Sequence, residues 1–85
     1  MNHPVPVTEF VLRGDHIALD ALLKATGLAP SGGAAKAMVG QGGVEVDGQV
    51  ETRKTCKIRS GQLVAVPAAR ASVRVLAQAG DPSRR

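Results

Sequence analysis

The apolar residues of this chain change their spacing once, at a cluster of glycines near the middle of the sequence. Before Gly40 they recur every three or four residues, as they do along one face of an α-helix. After Gly43 they alternate with polar residues, as they do along a strand that is buried on one side. This order predicts helices first and a small antiparallel sheet afterwards, which is an α+β domain.

The first predicted helix covers residues 16–26. Asp15 precedes it and can accept hydrogen bonds from the unpaired amides of the first turn. The leucines of this helix are spaced so that they share one face, and they are Leu19, Leu22 and Leu23. Gly27 can adopt the left-handed conformation that commonly ends a helix.

A second predicted helix begins at Ser31, whose side chain can cap it, and ends at the glycines from Gly40 onward. Pro30 separates the two helices, because proline cannot continue a helix. The connection is only a few residues long, so the two helices are expected to pack as a hairpin. The apolar stripe of the second helix consists of Ala34, Ala35, Met38 and Val39.

The second half of the chain is expected to form the antiparallel sheet. The dipeptide Asp47-Gly48 predicts a tight hairpin, because both residue types tolerate positive φ angles. Further strands are expected at residues 63–66 and 72–76, and a short strand at residues 9–12 precedes the first helix.

The length of the chain, 85 residues, corresponds to one domain. We expect this domain to cover residues 8–77, between a flexible arm at residues 1–7 and a disordered tail at residues 78–85. No apolar run is long enough to span a membrane, and no signal peptide is recognisable. Cys56 is the single cysteine, so no internal disulfide can form, and a cytoplasmic location is expected.

The composition limits the partners that the chain can bind. A net charge of +4 favours an anionic partner. Phe10 is the only aromatic residue, whereas modules that read single strands usually stack bases on aromatic rings. A nucleic acid would therefore be bound by its backbone and shape, which favours structured RNA or duplex DNA.

The start of the second helix is a candidate phosphate site. Ser31, Gly32 and Gly33 present backbone amides where the helix dipole favours an anion. Lys36 lies one turn after Gly32 and one turn before Gly40, so a phosphate backbone can approach it closely. The alternative is that these glycines permit tight helix packing, or merely fray the helix.

A second basic group follows the hairpin. Arg53, Lys54 and Lys57 belong to a run without acidic residues, residues 52–59 (TRKTCKIR). Each phosphate contact from this run would add affinity that depends on salt but not on base sequence. The alternative is a solvated basic face that binds nothing. Cys56, in the same run, is expected to be a small packed residue rather than a reactive thiol.

No catalytic or metal-binding constellation is present in the sequence. His3, His16 and Cys56 are scattered and make a poor metal site. The segment from Gly27 to Lys36 resembles a nucleotide phosphate loop only in its glycines, because its lysine is displaced. We therefore expect no enzyme, no cofactor and no metal.

Residues 17–66 resemble the RNA-binding domain named after small-subunit ribosomal protein S-four. The resemblance depends on the leucine helix, the segment from Ser31 to Lys36 and residues 60–66 (SGQLVAV). Its most specific part is residues 42–54, which read GGVEVDGQVETRK. The small stand-alone bacterial members, in which the domain is nearly the whole protein, are the most similar.

The resemblance implies a two-helix hairpin packed on a small bent antiparallel sheet, the alpha-L motif. It implies that RNA binds across the second helix and the adjoining basic loop. By position, Ser31 and Lys36 match the second-helix residues of the family, and Arg53 and Lys54 match the residues after the hairpin. Many members carry Arg directly after the position of Ser31, where this chain has Gly32.

The expected function is non-catalytic binding of structured RNA by a monomer, with ribosomal RNA as one candidate. The alternative is a protein-interaction adaptor associated with ribosomes or with RNA-modifying enzymes. Binding to DNA is a third hypothesis, which charge alone does not exclude.

Overall fold

The structure, a computed structural model, describes residues 7–78 of the chain. This part contains two helices, α1 (Leu19–Ala25) and α2 (Gly32–Gly40). Its strands are β1 (Val7–Val11), β2 (Ile17–Ala18), β3 (Glu45–Val46), β4 (Gln49–Val50), β5 (Lys57–Ile58), β6 (Leu63–Val66) and β7 (Ala71–Leu76). The predicted arm and tail lie almost wholly outside the described residues, but Val7 belongs to β1.

Helix α2 begins and ends where local chemistry requires. Ser31 has extended backbone, and its Oγ accepts a hydrogen bond from the N–H of Ala34 at 3.1 Å, which confirms the predicted cap. At the other end Gly42 has a φ of 79°, in the left-handed region. The N–H groups of Gly42 and Gly43 donate back to carbonyls in the last helical turn. This arrangement is a Schellman motif, which satisfies carbonyls that a helix end leaves unpaired.

Helix α1 is shorter than predicted. It begins at Leu19 rather than at residue 16, and its N-cap is Ala18, which has no side-chain capping bond. The prediction that Asp15 caps this helix is therefore wrong. The physical reason is tertiary: Ile17 and Ala18 pair with β5 in a separate two-stranded sheet. Gly27, with a φ of 81°, follows the helix end as expected.

The main sheet has five strands in the order β1-β7-β6-β3-β4. Its neighbouring strands are antiparallel except for β1 and β7, which pair in parallel from Val7↔Ser72 to Val11↔Leu76. The sheet is mixed, so the expectation of a purely antiparallel sheet is corrected. The pair joins the first and last strands, and parallel neighbours need a long crossover, which here is the rest of the domain.

The hairpin between β3 and β4 has the turn that its sequence predicts. Asp47 and Gly48 have φ angles of 52° and 85°, which a two-residue turn of type I′ requires. The carboxylate of Asp47 accepts hydrogen bonds from the N–H of Leu63 at 3.0 Å and from Nε2 of Gln62 at 3.1 Å. The bond from Leu63 is the main reason that the pKa of Asp47 is lowered. Asp47 thus joins the turn to β6.

One apolar cluster holds the helices against one face of the sheet. Its members are buried and come from α1, α2, β5, β6, β7 and adjoining loops: Leu12, Leu19, Leu22, Leu23, Ala29, Ala35, Val39, Val44, Ile58, Val64, Val66, Val73 and Val75. Along β7, Val73 and Val75 are buried whereas Arg74 is exposed. Because side chains alternate along a strand, Arg74 points to the face opposite the helices.

Gly40 and Gly42 provide a matched pair for testing the end of α2. A Cβ at Gly40 meets nothing within 4 Å, so Gly40→Ala should raise the free energy of unfolding by about 0.5 kcal/mol through helix propensity. Gly42→Ala should lower it by about 1–2 kcal/mol, because alanine must adopt the left-handed conformation. Urea denaturation of both variants measures the difference. Similar effects of the two substitutions would contradict this assignment of the helix end.

Candidate nucleic-acid interface

The chain after the hairpin is held against the start of α1. The N–H of Leu19 donates to the carbonyl of Cys56 at 2.9 Å, and the N–H of Asp20 donates to the carbonyl of Lys54 at 3.0 Å. These carbonyls satisfy amides that no capping side chain reaches. The basic loop, defined here as residues 51–56, is therefore anchored to the helical hairpin.

Glu51 shapes the basic loop from within. Its carboxylate accepts hydrogen bonds from the backbone N–H of Arg53 at 2.9 Å, from Nε at 3.0 Å and from Nη2 at 3.2 Å. The side chain of Glu51 is 17% exposed, whereas that of Arg53 is 77% exposed. A guanidinium has five N–H groups, and two of them bond to Glu51, so three remain directed to solvent. Arg53 is thus oriented and partly neutralised.

The pKa values in the loop follow from this pairing. Mainly because of the hydrogen bond from the Arg53 side chain, the pKa of Glu51 is lowered from 4.5 to about 2. Burial raises the pKa of the Cys56 thiol, and the negative charge of Glu51 raises it further. The thiol is therefore protonated at neutral pH, which favours the interpretation of Cys56 as a packed residue.

Arg53 and Lys57 lie on one surface. Together with Thr55 and Cys56 they line a shallow depression of about 370 Å³, here called the loop depression. Lys57 belongs to β5 and is exposed, whereas the next residue, Ile58, is buried in the core. The side chain of Lys54 is exposed, and its carbonyl is the group that binds α1. The structure thus gathers the three predicted basic residues at one end of α1.

A second depression lies between the two helices. It has a volume of about 210 Å³, is here called the helical depression, and is lined by Asp20, Ala21, Lys24, Gly32 and Lys36. Asp20 connects the two surfaces, because its N–H binds the carbonyl of Lys54. The structure therefore places the predicted second-helix residues Gly32 and Lys36 beside the anchored basic loop. The sequence alone does not assign Lys24 or Asp20 to the site, since only the packing of α1 on α2 brings them here.

The glycines of α2 have no packing role at two of their three positions. A Cβ at Gly32 or at Gly40 would meet nothing within 4 Å, and one at Gly33 would lie 3.9 Å from the Oγ of Ser31, an ordinary contact. The alternative that Gly32 and Gly40 permit tight packing is therefore wrong. The Ser31 Oγ accepts the capping bond, and its O–H group can still donate to a further acceptor such as a phosphate oxygen.

Residues 7–78 contain neither a metal-binding group nor a membrane-spanning helix. Among residues 7–78, no three His, Cys, Asp or Glu side chains come together in a group that could hold a metal ion. Neither α1 nor α2 is long and apolar enough to cross a membrane.

The sequence and the fold are both similar to known proteins. The sequence model of the S4 domain matches residues 10–75. Over 49 residues the chain is 53% identical to the Escherichia coli (strain K12) protein named "Putative RNA-binding protein YbcJ", covering 58% of this chain and 70% of that protein. "Uncharacterized protein YbcJ" of Shigella flexneri matches with the same identity and coverage.

A solved structure is similar over most of the fold. It is the solution structure of Escherichia coli YbcJ, which is described as revealing an alfaL motif involved in RNA-binding. The identity is 41%, the TM-score is 0.60, and the match covers 89% of this chain and 91% of that one. The predicted arrangement of two helices on a sheet, with an alpha-L motif, is confirmed, with the sheet mixed.

The pairing of Glu51 with Arg53 predicts a specific change in titration. Arg53→Ala removes both side-chain bonds to the carboxylate, so the pKa of Glu51 should rise from about 2 towards its ordinary value of 4.5. Because folding lowers this pKa, ionised Glu51 stabilises the fold above pH 4.5, and this contribution is lost as the pH falls from 4.5 to about 2. NMR titration of the Glu51 side-chain carbon measures the pKa directly.

Arg53→Lys is the control, because it keeps the charge but lacks the planar fork. An intermediate pKa is expected for Glu51 in this variant. An unchanged pKa in Arg53→Ala would show that the backbone N–H, rather than the guanidinium, holds the carboxylate.

Proposed function

We propose that this chain, which belongs to the S4 domain family, is a non-catalytic protein that binds structured RNA through phosphate-backbone and shape contacts. The observation that carries the proposal is the anchoring of the basic loop to α1. The bond between the Asp20 N–H and the Lys54 carbonyl joins two basic surfaces that are remote in sequence. In this proposal the two surfaces act together as one extended cationic face.

The composition indicates which kind of RNA suits this face. Phe10 is the only aromatic residue of the chain, so stacking of splayed bases cannot provide much affinity. Contacts to phosphates and to the shape of a folded or double-stranded RNA remain. The name of the Escherichia coli relative YbcJ and the description of its solved structure favour RNA over DNA. Ribosomal RNA, bound by a monomer in the bacterial cytoplasm, is one candidate.

The residues of the two surfaces have different roles in this proposal. Lys36, Lys54 and Lys57 are exposed and supply positive charge to phosphates. Arg53 contributes the three guanidinium N–H groups that do not donate to Glu51. The backbone at the start of α2, from Ser31 through Gly32 to Gly33, would receive an anion at the positive end of the helix.

Loss of a phosphate-binding lysine should weaken binding and its dependence on salt. For an RNA hairpin, Lys36→Ala should reduce the slope of log affinity against log salt by about 1, and Lys54→Ala/Lys57→Ala by about 2. Fluorescence anisotropy at several salt concentrations measures both quantities. Arg74→Ala is the control, because it removes an exposed charge on the opposite face of the sheet.

The outcome separates the hypotheses. Wild-type affinity and slope in both variants would reject the site. Stronger competition by duplex DNA than by hairpin RNA would favour DNA over RNA. If the wild-type protein binds no RNA, the adaptor hypothesis gains support, for which the exposed valines at the two edges of the sheet, Val7 and Val11 on β1 and Val50 on β4, offer separate apolar contacts.

A gain of affinity is expected at the position where many family members carry Arg. Gly32 has open space around its Cβ position and lies beside Lys36 in the helical depression. Gly32→Arg should therefore fold normally, increase the salt slope by about 1 and tighten binding several-fold. Gly32→Gln is the matched control, since it adds a long side chain without charge. Tighter binding by both variants would point to contact area rather than to charge.

A further inference from the structure

Two lysines from different helices face one depression in this fold. We propose that the helical depression is a seat for a single RNA phosphate, held between Lys24 of α1 and Lys36 of α2. This inference rests on the proposed function and deepens it, because it assigns Lys24 to the interface and identifies the group that the depression receives.

The first support is the shape of the depression. Gly32 lies on its wall, and a Cβ at this position would meet nothing within 4 Å, so the depression is open on that side. The remaining volume is about 210 Å³. A water molecule takes about 30 Å³ of liquid volume, so a phosphate group can enter together with part of its hydration. The depression opens at the surface, where both lysine side chains are exposed, so a backbone phosphate can reach it.

The second support is the charge of the depression. Within residues 7–78, the ion pair of Arg53 and Glu51 is the only one with an N···O distance of 4.0 Å or less, so neither Lys24 nor Lys36 is neutralised in this way. Asp20 supplies one negative charge against the two positive charges. The carboxylate of Asp20 accepts a hydrogen bond from the N–H of Ala21 at 2.8 Å. The depression thus keeps a net positive charge.

The third support is the direction of α2. Gly32 is its first residue, so the positive end of the helix dipole meets the depression that Lys24 and Lys36 also line. Three sources of positive potential therefore meet at one place. Two solvated lysines on unrelated surfaces would not share a cavity, and the sequence separates Lys24 from Lys36 by the whole turn between the helices.

Two substitutions that remove opposite charges from the helical depression test whether it holds a phosphate. Lys24→Ala should weaken binding of an RNA hairpin about 3- to 10-fold, and Asp20→Asn should tighten it about 2- to 5-fold, because they remove opposite charges from the same site. Lys24→Arg should bind as the wild type does. Asparagine keeps both the backbone N–H that binds Lys54 and an oxygen for Ala21, so the fold is preserved. Thermal unfolding of each variant verifies this.

A double-mutant cycle tests whether the two lysines share one phosphate. If loss of either lysine releases the phosphate, the second substitution has little left to remove. The affinity loss of Lys24→Ala/Lys36→Ala should then be clearly smaller than the product of the two single losses. Independent losses that multiply would overturn the shared seat.

The remaining outcomes distinguish this inference from the proposed function. Weaker binding by Lys36→Ala and Lys54→Ala/Lys57→Ala, with wild-type binding by Lys24→Ala, would overturn the seat and leave RNA binding intact. No binding by the wild-type protein would overturn both. Displacement of the hairpin by millimolar inorganic phosphate, with the same response to Lys24→Ala, would show that the depression takes a free phosphate and would overturn the assignment to RNA.

Discussion

The rest of this structure depends on two backbone hydrogen bonds, from the amides of Leu19 and Asp20 to the carbonyls of Cys56 and Lys54. Each contributes about 1 kcal/mol net, but an amide left buried without a partner costs about 1–3 kcal/mol, so the fold cannot readily release them. They replace the cap that α1 lacks and hold a loop that has little regular structure of its own. The helical hairpin and the basic loop therefore present one surface, although the chain between them passes through α2 and a β-hairpin.

The charges on this surface are not equivalent. Glu51 is partly buried and binds two N–H groups of Arg53, so an RNA phosphate must share that guanidinium with it. Lys54 and Lys57 follow in the sequence without such a partner among residues 7–78. Glu51 also accepts from the backbone N–H of Arg53, and this contact fixes the course of the loop. The same carboxylate thus orders the basic loop and reduces its positive charge.

Local chemistry was enough to predict part of this fold. The cap at Ser31, the turn at Asp47-Gly48 and the left-handed Gly27 each depend on a few neighbouring residues, and all three are confirmed. Other features depend on contacts between segments that are remote in sequence, so a local sequence pattern does not predict them. These features are the start of α1, the β2–β5 pair and the parallel β1–β7 pair.

Some residues of the candidate site can likewise be predicted from local sequence, whereas others require the tertiary structure. The charge pattern of residues 52–59 predicts the basic residues of the loop. Lys24 required knowledge of how α1 packs on α2, because its own helix shows only an exposed charge. Glu51 could have been recognised, since an acid two residues before Arg53 can accept from its backbone and its side chain. Glu51 lies just outside the acid-free run of residues 52–59, so a pattern defined by basic residues does not include it.

The glycines of α2 provide the remaining argument for a ligand at this surface. Each glycine inside a helix costs about 1 kcal/mol relative to alanine, and less near the ends, so Gly32 and Gly40 weaken a helix of only nine residues. Neither glycine offsets this loss of helix stability by allowing closer packing, because a Cβ at either position would meet nothing within 4 Å. Neither has the positive φ that would demand glycine. What these positions offer is a helix surface without side chains on both sides of Lys36. Nothing among the described residues uses that surface, whereas a phosphate backbone that approaches Lys36 would.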